Sequence, residues 1–177
     1  MAEVTSHAAG TVLDPDRVLR ALQGAYGKGA ARRALLQVVA DRLKAAGPPY
    51  TGVYLYMLHG DMLDLEAFAG RETPHTHIPV GKGLCGKAIT EDRDIVTADV
   101  AANPDYLACN IETRSELIVL VRRGPVVFGQ IDVDSDVPDG FSPAEHAAVT
   151  RVADGLASLL EWAPWCRTRA CVRWNPS

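Results

Sequence analysis

Residues 115–135, SELIVLVRRGPVVFGQIDVDS, hold three carboxylates and lie six positions after a cysteine, Cys109, in the run YLACN. Runs of Val, Ile and Leu on either side of Arg122-Arg123-Gly124-Pro125 predict two strands joined by a turn. Side chains alternate along a strand, so Glu116 shares a face with Ile118 and Leu120, while Leu117, Val119 and Val121 take the other. On the second strand the same alternation sends Val127, Ile131 and Val133 one way and Phe128, Gln130, Asp132 and Asp134 the other. A pairing in which the acids meet gathers Glu116, Asp132 and Asp134 on one face. Two carboxylates ~5 Å apart repel by roughly 3 kcal/mol at an effective dielectric of 20, about 2 pKa units. One member of such a cluster then keeps a proton near neutrality. A thiol beside that shared proton can act as a sulfur nucleophile whose target is protonated as it reacts. Without such help an ordinary thiol is a poor nucleophile at neutral pH, being only about 3% thiolate.

The elements that must position these groups follow from periodicity. Asp14-Pro15-Asp16 starts a short helix through about residue 23, after a leader over residues 1–13 expected to be disordered. Gly24, Gly27 and Gly29 interrupt it. Leu35, Leu36, Val39 and Leu43 fall at helical spacing over residues 30–46, and Gly47-Pro48-Pro49 stops that helix. Residues 50–58 and 62–69 read as a hairpin around His59-Gly60-Asp61. A polar stretch over residues 70–81 leads to a glycine turn and a short helix containing Cys85. A strand at residues 94–97 and a loop over 99–110 follow. Ser142-Pro143-Ala144-Glu145 reads as a capping box, and Val149, Val152, Ala153, Leu156 and Leu160 form the buried stripe of the last helix. Two helices framing an antiparallel sheet, with the glycine-turn helix and long loop opposite, make an α+β sandwich. The loop face is the one expected to carry a ligand.

The chain divides into a leader and short helix over residues 1–29, one domain over 30–161, and a tail over 162–177. That tail contains all three tryptophans, Cys166 and Cys171. The length of 177 residues suits one core. A net charge of −4 gives no basic footprint for nucleic acid. No stretch has the apolar length of a membrane span, and the N-terminus lacks the pattern of a signal peptide. Four cysteines at 85, 109, 166 and 171 match neither a secreted scaffold nor a paired zinc motif. A cytoplasmic protein with reduced thiols is expected. His75 and His77 share a side of an extended segment without an evident third ligand, so no metal is expected there.

The runs IPVGKGLCGKAI, DIVTADV, YLACN-IETRSELIV, G-QIDVDSD and FSPAEH are similar to GAF domains. More narrowly they resemble the free methionine-(R)-sulfoxide reductases built on that fold. The resemblance implies an antiparallel sheet of about six strands, helices on one face and a loop-enclosed pocket on the other. It places the nucleophile at Cys109, with Asn110 replacing the family's Asp, and a second cysteine at Cys85. The acids fall on Glu116, Asp132 and Asp134, and the pocket aromatics on Tyr50 and Tyr54. Glu116 is then the acid, the aspartates hold the substrate's ammonium or orient its sulfoxide, and the tyrosines enclose its methyl group. The family's resolving cysteine would fall near residues 73–75, where this chain has none. Cys85 is the first candidate for that step, and Cys166 or Cys171 the second. The expected protein is a dimer with no bound cofactor, acting on a small molecule and drawing reducing equivalents from thioredoxin or another thiol donor. The alternative is a non-catalytic GAF module that binds a small ligand or senses oxidants. In a blander role, Asp132 and Asp134 bind a cation or cap a turn, and each cysteine is a small buried hydrophobe.

Overall fold

The computed structural model describes residues 11–107 and 110–162. Helix α1 (Pro15–Gly27) is capped by Asp14, whose side chain accepts from the Arg17 backbone N–H at 3.1 Å. It runs through Gly24 and ends before Gly29, which takes a left-handed φ of 77°. The expected stop near residue 23 is therefore one turn early. Helix α2 (Arg32–Lys44) buries Leu35, Leu36, Val39 and Leu43 completely. Strands β1 (Gly52–His59) and β2 (Met62–Ala69) form the first hairpin, and β3 (His77–Pro79) pairs with the far edge of β2. The sequence reading gave no strand at β3, a segment of only three residues whose neighbours are polar.

Helix α3 (Gly83–Thr90) and strand β4 (Ile95–Thr97) follow, with a single 3-10 turn at Val100–Ala102 inside the long loop. Strands β5 (Ser115–Arg123) and β6 (Val126–Ser135) form the second hairpin, and α4 (Pro143–Trp162) closes the fold. The sheet has six strands in the order β3-β2-β1-β6-β5-β4, each pair antiparallel. This is the expected α+β arrangement.

Helices α1, α2 and α4 lie on one face, and α3 lies on the other. The helix-side core includes Leu35, Leu36, Val53, Leu55, Leu117, Val119, Ile131, Val133, Val149 and Leu156. The opposite core holds Tyr54, Tyr56, Leu63, Ile78, Cys85, Ile89, Ile118 and Leu120. Sandwiched between the two, β1 is buried on both faces along nearly all its length. Among the described residues no helix is long and apolar enough to cross a membrane.

Three sequence expectations change here. Val127 belongs to the α3-side core and Phe128 to the helix-side core, the reverse of simple alternation. The cause is a bulge: Arg122 pairs with Val127 and Val121 with Gly129, which leaves Phe128 as an extra residue. Beyond it the expected alternation resumes. Second, Glu145 does not complete a capping box. Ser142 Oγ accepts from the Glu145 backbone N–H at 3.2 Å, yet the Glu145 carboxylate turns away to the Tyr50 hydroxyl and the Val12 backbone N–H. Third, residues 11–13 belong to the fold, because Leu13 is buried in the helix-side core with Val18 and Leu22 of α1.

Candidate functional site

The β5–β6 register decides where the acids go. Glu116 pairs with Asp134 and Ile118 with Asp132, so the three carboxylates share one face. On the other side of β6, Tyr54 stands opposite Asp132 and Gly52 opposite Asp134. A side chain at Gly52 would meet the Tyr54 ring and hydroxyl, with a Cβ only 2.8 Å from that oxygen. Glycine there lets the ring lie along the strand, and the Tyr54 hydroxyl donates to the Arg71 carbonyl at 3.0 Å. The Tyr56 hydroxyl likewise donates to the His75 carbonyl at 2.7 Å. Two buried tyrosines thus pin the segment over residues 71–75, where the sequence has no thiol.

Cys85 arrives from the layer above. Gly86 allows it: a Cβ at Gly86 would sit 2.6 Å from the Pro79 carbonyl oxygen, so a larger residue would lift α3 off β3. With α3 seated, the Cys85 thiol donates to Asp132 Oδ2 at 3.4 Å. Cys85, Glu116 and Asp132 are all buried, and their potential ligand atoms lie within 4.8 Å of one another. This is the group among the described residues whose spacing would suit a cation. The histidine pair offers nothing comparable, and His77 is engaged with Asp64 at 2.6 Å.

Burial dominates the electrostatics of the acids. Asp132 is pushed up to about 8, first by desolvation and then by the Asp134 charge, against the opposing pull of hydrogen bonds from Glu116 and Cys85. Glu116 is raised well above the ordinary carboxyl range by desolvation, then by the charges of Asp132 and Asp134, and further by donating a hydrogen bond to Asp132. The two causes agree on where the proton rests: Glu116 holds it and Asp132 accepts it. Asp134 rises only to about 6, because the Thr113 hydroxyl, at 3.1 Å, and the Arg71 guanidinium oppose its desolvation. Among the described residues, Glu116 Oε2, Asp132 Oδ1 and both polar atoms of the fully buried Gln130 carboxamide have no hydrogen-bond partner. Unpaired polar atoms at this depth cost about 1–3 kcal/mol each, a penalty that a ligand or water can offset.

A cavity of about 10 Å³ opens between α3 and β5, lined by Lys82, Gly83, Leu84, Cys85, Tyr106 and Glu116 among others. It has room for about one water. A larger cleft of about 120 Å³ beside Val12, Arg17 and Arg42 lies away from the acids and gathers no comparable group. At the rim, Arg71 grips Asp136 through both terminal nitrogens, at 2.7 and 2.5 Å, and Glu112 at 2.7 Å.

The site residues named from sequence do not all converge. Cys85, Glu116, Asp132, Asp134 and Tyr54 come together. Tyr50 does not: it lies in the helix-side core, edge-on to Phe141 with ring centroids 6.0 Å apart, and bonded to Glu145. The sheet separates it from the acids, so it encloses no ligand with them. Cys109, Cys166 and Cys171 lie outside the described residues. Of the neighbours of Cys109, Leu107 lines the small cavity, and the Asn110 carboxamide accepts from the Glu112 backbone N–H at 3.0 Å. Sequence reasoning missed Thr113, Gln130 and Arg71. Gln130 was legible as sharing the acid face, but nothing in the sequence marked its amide as unpaired. Thr113 and Arg71 reach the site only through loop paths that periodicity does not encode.

Residues 29–161 match the GAF domain family, and the chain belongs to it. Among solved structures it is similar to a type II free methionine-R-sulfoxide reductase from Thermoplasma acidophilum. That match has 38% identity and a TM-score of 0.70, covering 73% of this chain and 92% of the other. It is also similar to the free methionine-R-sulfoxide reductase of Neisseria meningitidis, solved in complex with its substrate. Here the identity is 28% and the TM-score 0.77, over 91% of this chain and 96% of that one. The free methionine-R-sulfoxide reductase of Escherichia coli is 28% identical over 105 residues, 59% of this chain and 63% of that protein.

Proposed function

We propose that this GAF domain reduces the R-sulfoxide of free methionine, with Cys109 as nucleophile and Glu116 as proton donor. The observation that carries the reading is the buried carboxyl group of Glu116, kept protonated beside Asp132 and a thiol, in a chain whose relatives include free methionine-R-sulfoxide reductases. The Cys109 thiolate attacks the substrate sulfur while Glu116 protonates the sulfoxide oxygen. Methionine leaves, and the oxygen stays on Cys109 as a sulfenic acid. Asp134, the most readily ionised of the three acids, holds the substrate's ammonium, a group that methionine inside a peptide lacks. Tyr54 walls the same row of the sheet. Cys85 then attacks the sulfenic acid to form a disulfide, which thioredoxin or another dithiol reduces.

Consumption of NADPH in the presence of thioredoxin and thioredoxin reductase tests this. The expected result is turnover with the free R-sulfoxide, little with the S-sulfoxide or N-acetylated substrate, and none in Cys109→Ser. Equal turnover of both isomers, or full activity in Cys109→Ser, would overturn the reading.

A further inference from the structure

Glu116 and Asp132 are buried acids with no ion-pair partner among the described residues. Arg71, the guanidinium that acts on Asp134, is paired with Asp136 and Glu112 at the rim instead. Glu116 and Asp132 each keep one oxygen that nothing described satisfies, Glu116 Oε2 and Asp132 Oδ1. One step along the same face of β6, the Gln130 carboxamide is fully buried with both polar atoms unsatisfied among the described residues. Buried polar groups are almost always paired, so leftovers at this depth call for a ligand. Carboxylate oxygens that converge with a sulfur are the donor set of a metal ion. We propose that Cys85, Glu116 and Asp132 form a binding site for a thiophilic divalent cation of the zinc type, with a fourth position open to the small cavity beside Cys85 and Glu116.

The dimensions support this. With Zn–S of about 2.3 Å and Zn–O of about 2.0–2.2 Å, neighbouring donors around a tetrahedral zinc stand about 3.5 Å apart. Cys85 Sγ and Asp132 Oδ2 are already 3.4 Å apart, and donor atoms of all three residues lie within 4.8 Å of one another. The donors come from α3, β5 and β6, fixed by strand pairing and by the seating of α3 that Gly86 permits. Three protein donors and one open position is the pattern of zinc that keeps a water, and the cavity has room for about one. Chemistry selects the metal. A thiolate favours zinc and its like over Mg²⁺ and Ca²⁺, which take oxygen donors. Mg²⁺ sheds its waters reluctantly and Ca²⁺ takes roughly six to eight ligands, for which a cavity of about 10 Å³ leaves no room. The ligands must be deprotonated, so the incoming ion displaces the Cys85 S–H proton and those on the carboxyls, with no oxidation or reduction. The site goes beyond the reductase reading and does not depend on it. In a reductase an ion here would hold Glu116 as a ligand and withdraw it as a proton donor, so zinc would inhibit.

Co²⁺ is the probe, added to the reduced, chelator-treated full chain. One equivalent should bind with a Kd below about 10 μM and give a thiolate-to-cobalt charge-transfer band with the visible bands of four-coordinate cobalt. Zn²⁺ should bleach both, and a large excess of Mg²⁺ or Ca²⁺ should leave them unchanged. Cys85→Ser should abolish the charge-transfer band. Glu116→Gln and Asp132→Asn should each weaken binding by about 100-fold or more, since outer partners alone are worth about 10–100-fold. Replacing Cys109, Cys166 and Cys171 together with Ser should leave the band in place. A band that persists in Cys85→Ser, or that vanishes in the triple variant, overturns the proposal. So does binding no tighter than about 1 mM, or displacement of cobalt by Mg²⁺ or Ca²⁺. If the variants do not fold, zinc X-ray absorption on the wild type decides. One sulfur neighbour at about 2.3 Å among oxygen or nitrogen neighbours is expected, and an all-oxygen shell or more than one sulfur overturns the site. Metal-free protein that binds cobalt in this way yet leaves methionine sulfoxide untouched counts against the reductase reading and leaves the metal site standing.

Discussion

Glu116 and Tyr50 show how one sheet assigns opposite jobs to residues of similar burial. Glu116 is raised by desolvation and by the charges of its fellow acids, so Glu116→Gln removes the proton while keeping the shape. Single-turnover methionine formation should fall by about 100-fold or more, with cooperative unfolding retained. Tyr50 donates to a carboxylate on the far side of the sheet. Tyr50→Phe leaves the buried Glu145 one partner short, which should destabilise the protein by about 1–3 kcal/mol in urea titration. The KM for substrate should stay unchanged, and a raised KM would restore Tyr50 to the pocket.

At the scale of elements, the site exists because of close approaches that only glycine permits. Gly129 has a φ of 155°, and a Cβ there would lie 2.2 Å from the Tyr56 carbonyl oxygen. It sits in the bulge that turns Phe128 toward the helices while leaving Asp132 and Asp134 on the acid face. Gly129→Ala should therefore cost about 3 kcal/mol and shift the β5–β6 register, read as lost protection of β6 amides in hydrogen exchange. The acid face was legible beforehand, since Glu116, Asp132 and Asp134 each sit at alternating positions counted from well-defined strands. The inversion of Val127 and Phe128 was not, because alternation carries no mark of an inserted residue. The buried stripes of α2 and α4 were plain for the same reason that the acids were. The capping box failed because Ser142 and Glu145 fit the motif locally, while a buried tyrosine and an N-terminal amide compete for the carboxylate. The approach of Cys85 to Asp132 depends on α3 docking across two layers, which one sequence does not specify.

For the whole molecule, three buried acids on one face make stability depend on pH in an unusual direction. Asp132 and Asp134 have folded values of about 8 and about 6, above the ordinary value of 3.8. The unfolded chain therefore binds fewer protons between those limits, and stability falls as pH rises from about 4 through about 8. The melting temperature should drop by roughly 5–10 °C between pH 5.5 and 8.5, and Asp132→Asn should flatten that slope. An equal slope in the variant would show that the acids are not ionising in the folded state. At the opposite pole, Leu13 ties the N-terminal segment into the helix-side core with α1, so the folded unit begins before residue 15. Leu13→Ala should cost about 2–3 kcal/mol in urea titration without altering the chemistry across the sheet.

The most direct test is stoichiometric and uses no recycling enzymes: reduced protein is mixed with the free R-sulfoxide and methionine is counted by mass spectrometry from pH 6 to pH 10. The account predicts one methionine per chain, loss of the Cys109 thiol, and a rate that declines at alkaline pH once Glu116 gives up its proton. A rate that keeps increasing to pH 10, or methionine formed at the wild-type rate by Glu116→Gln, would contradict it.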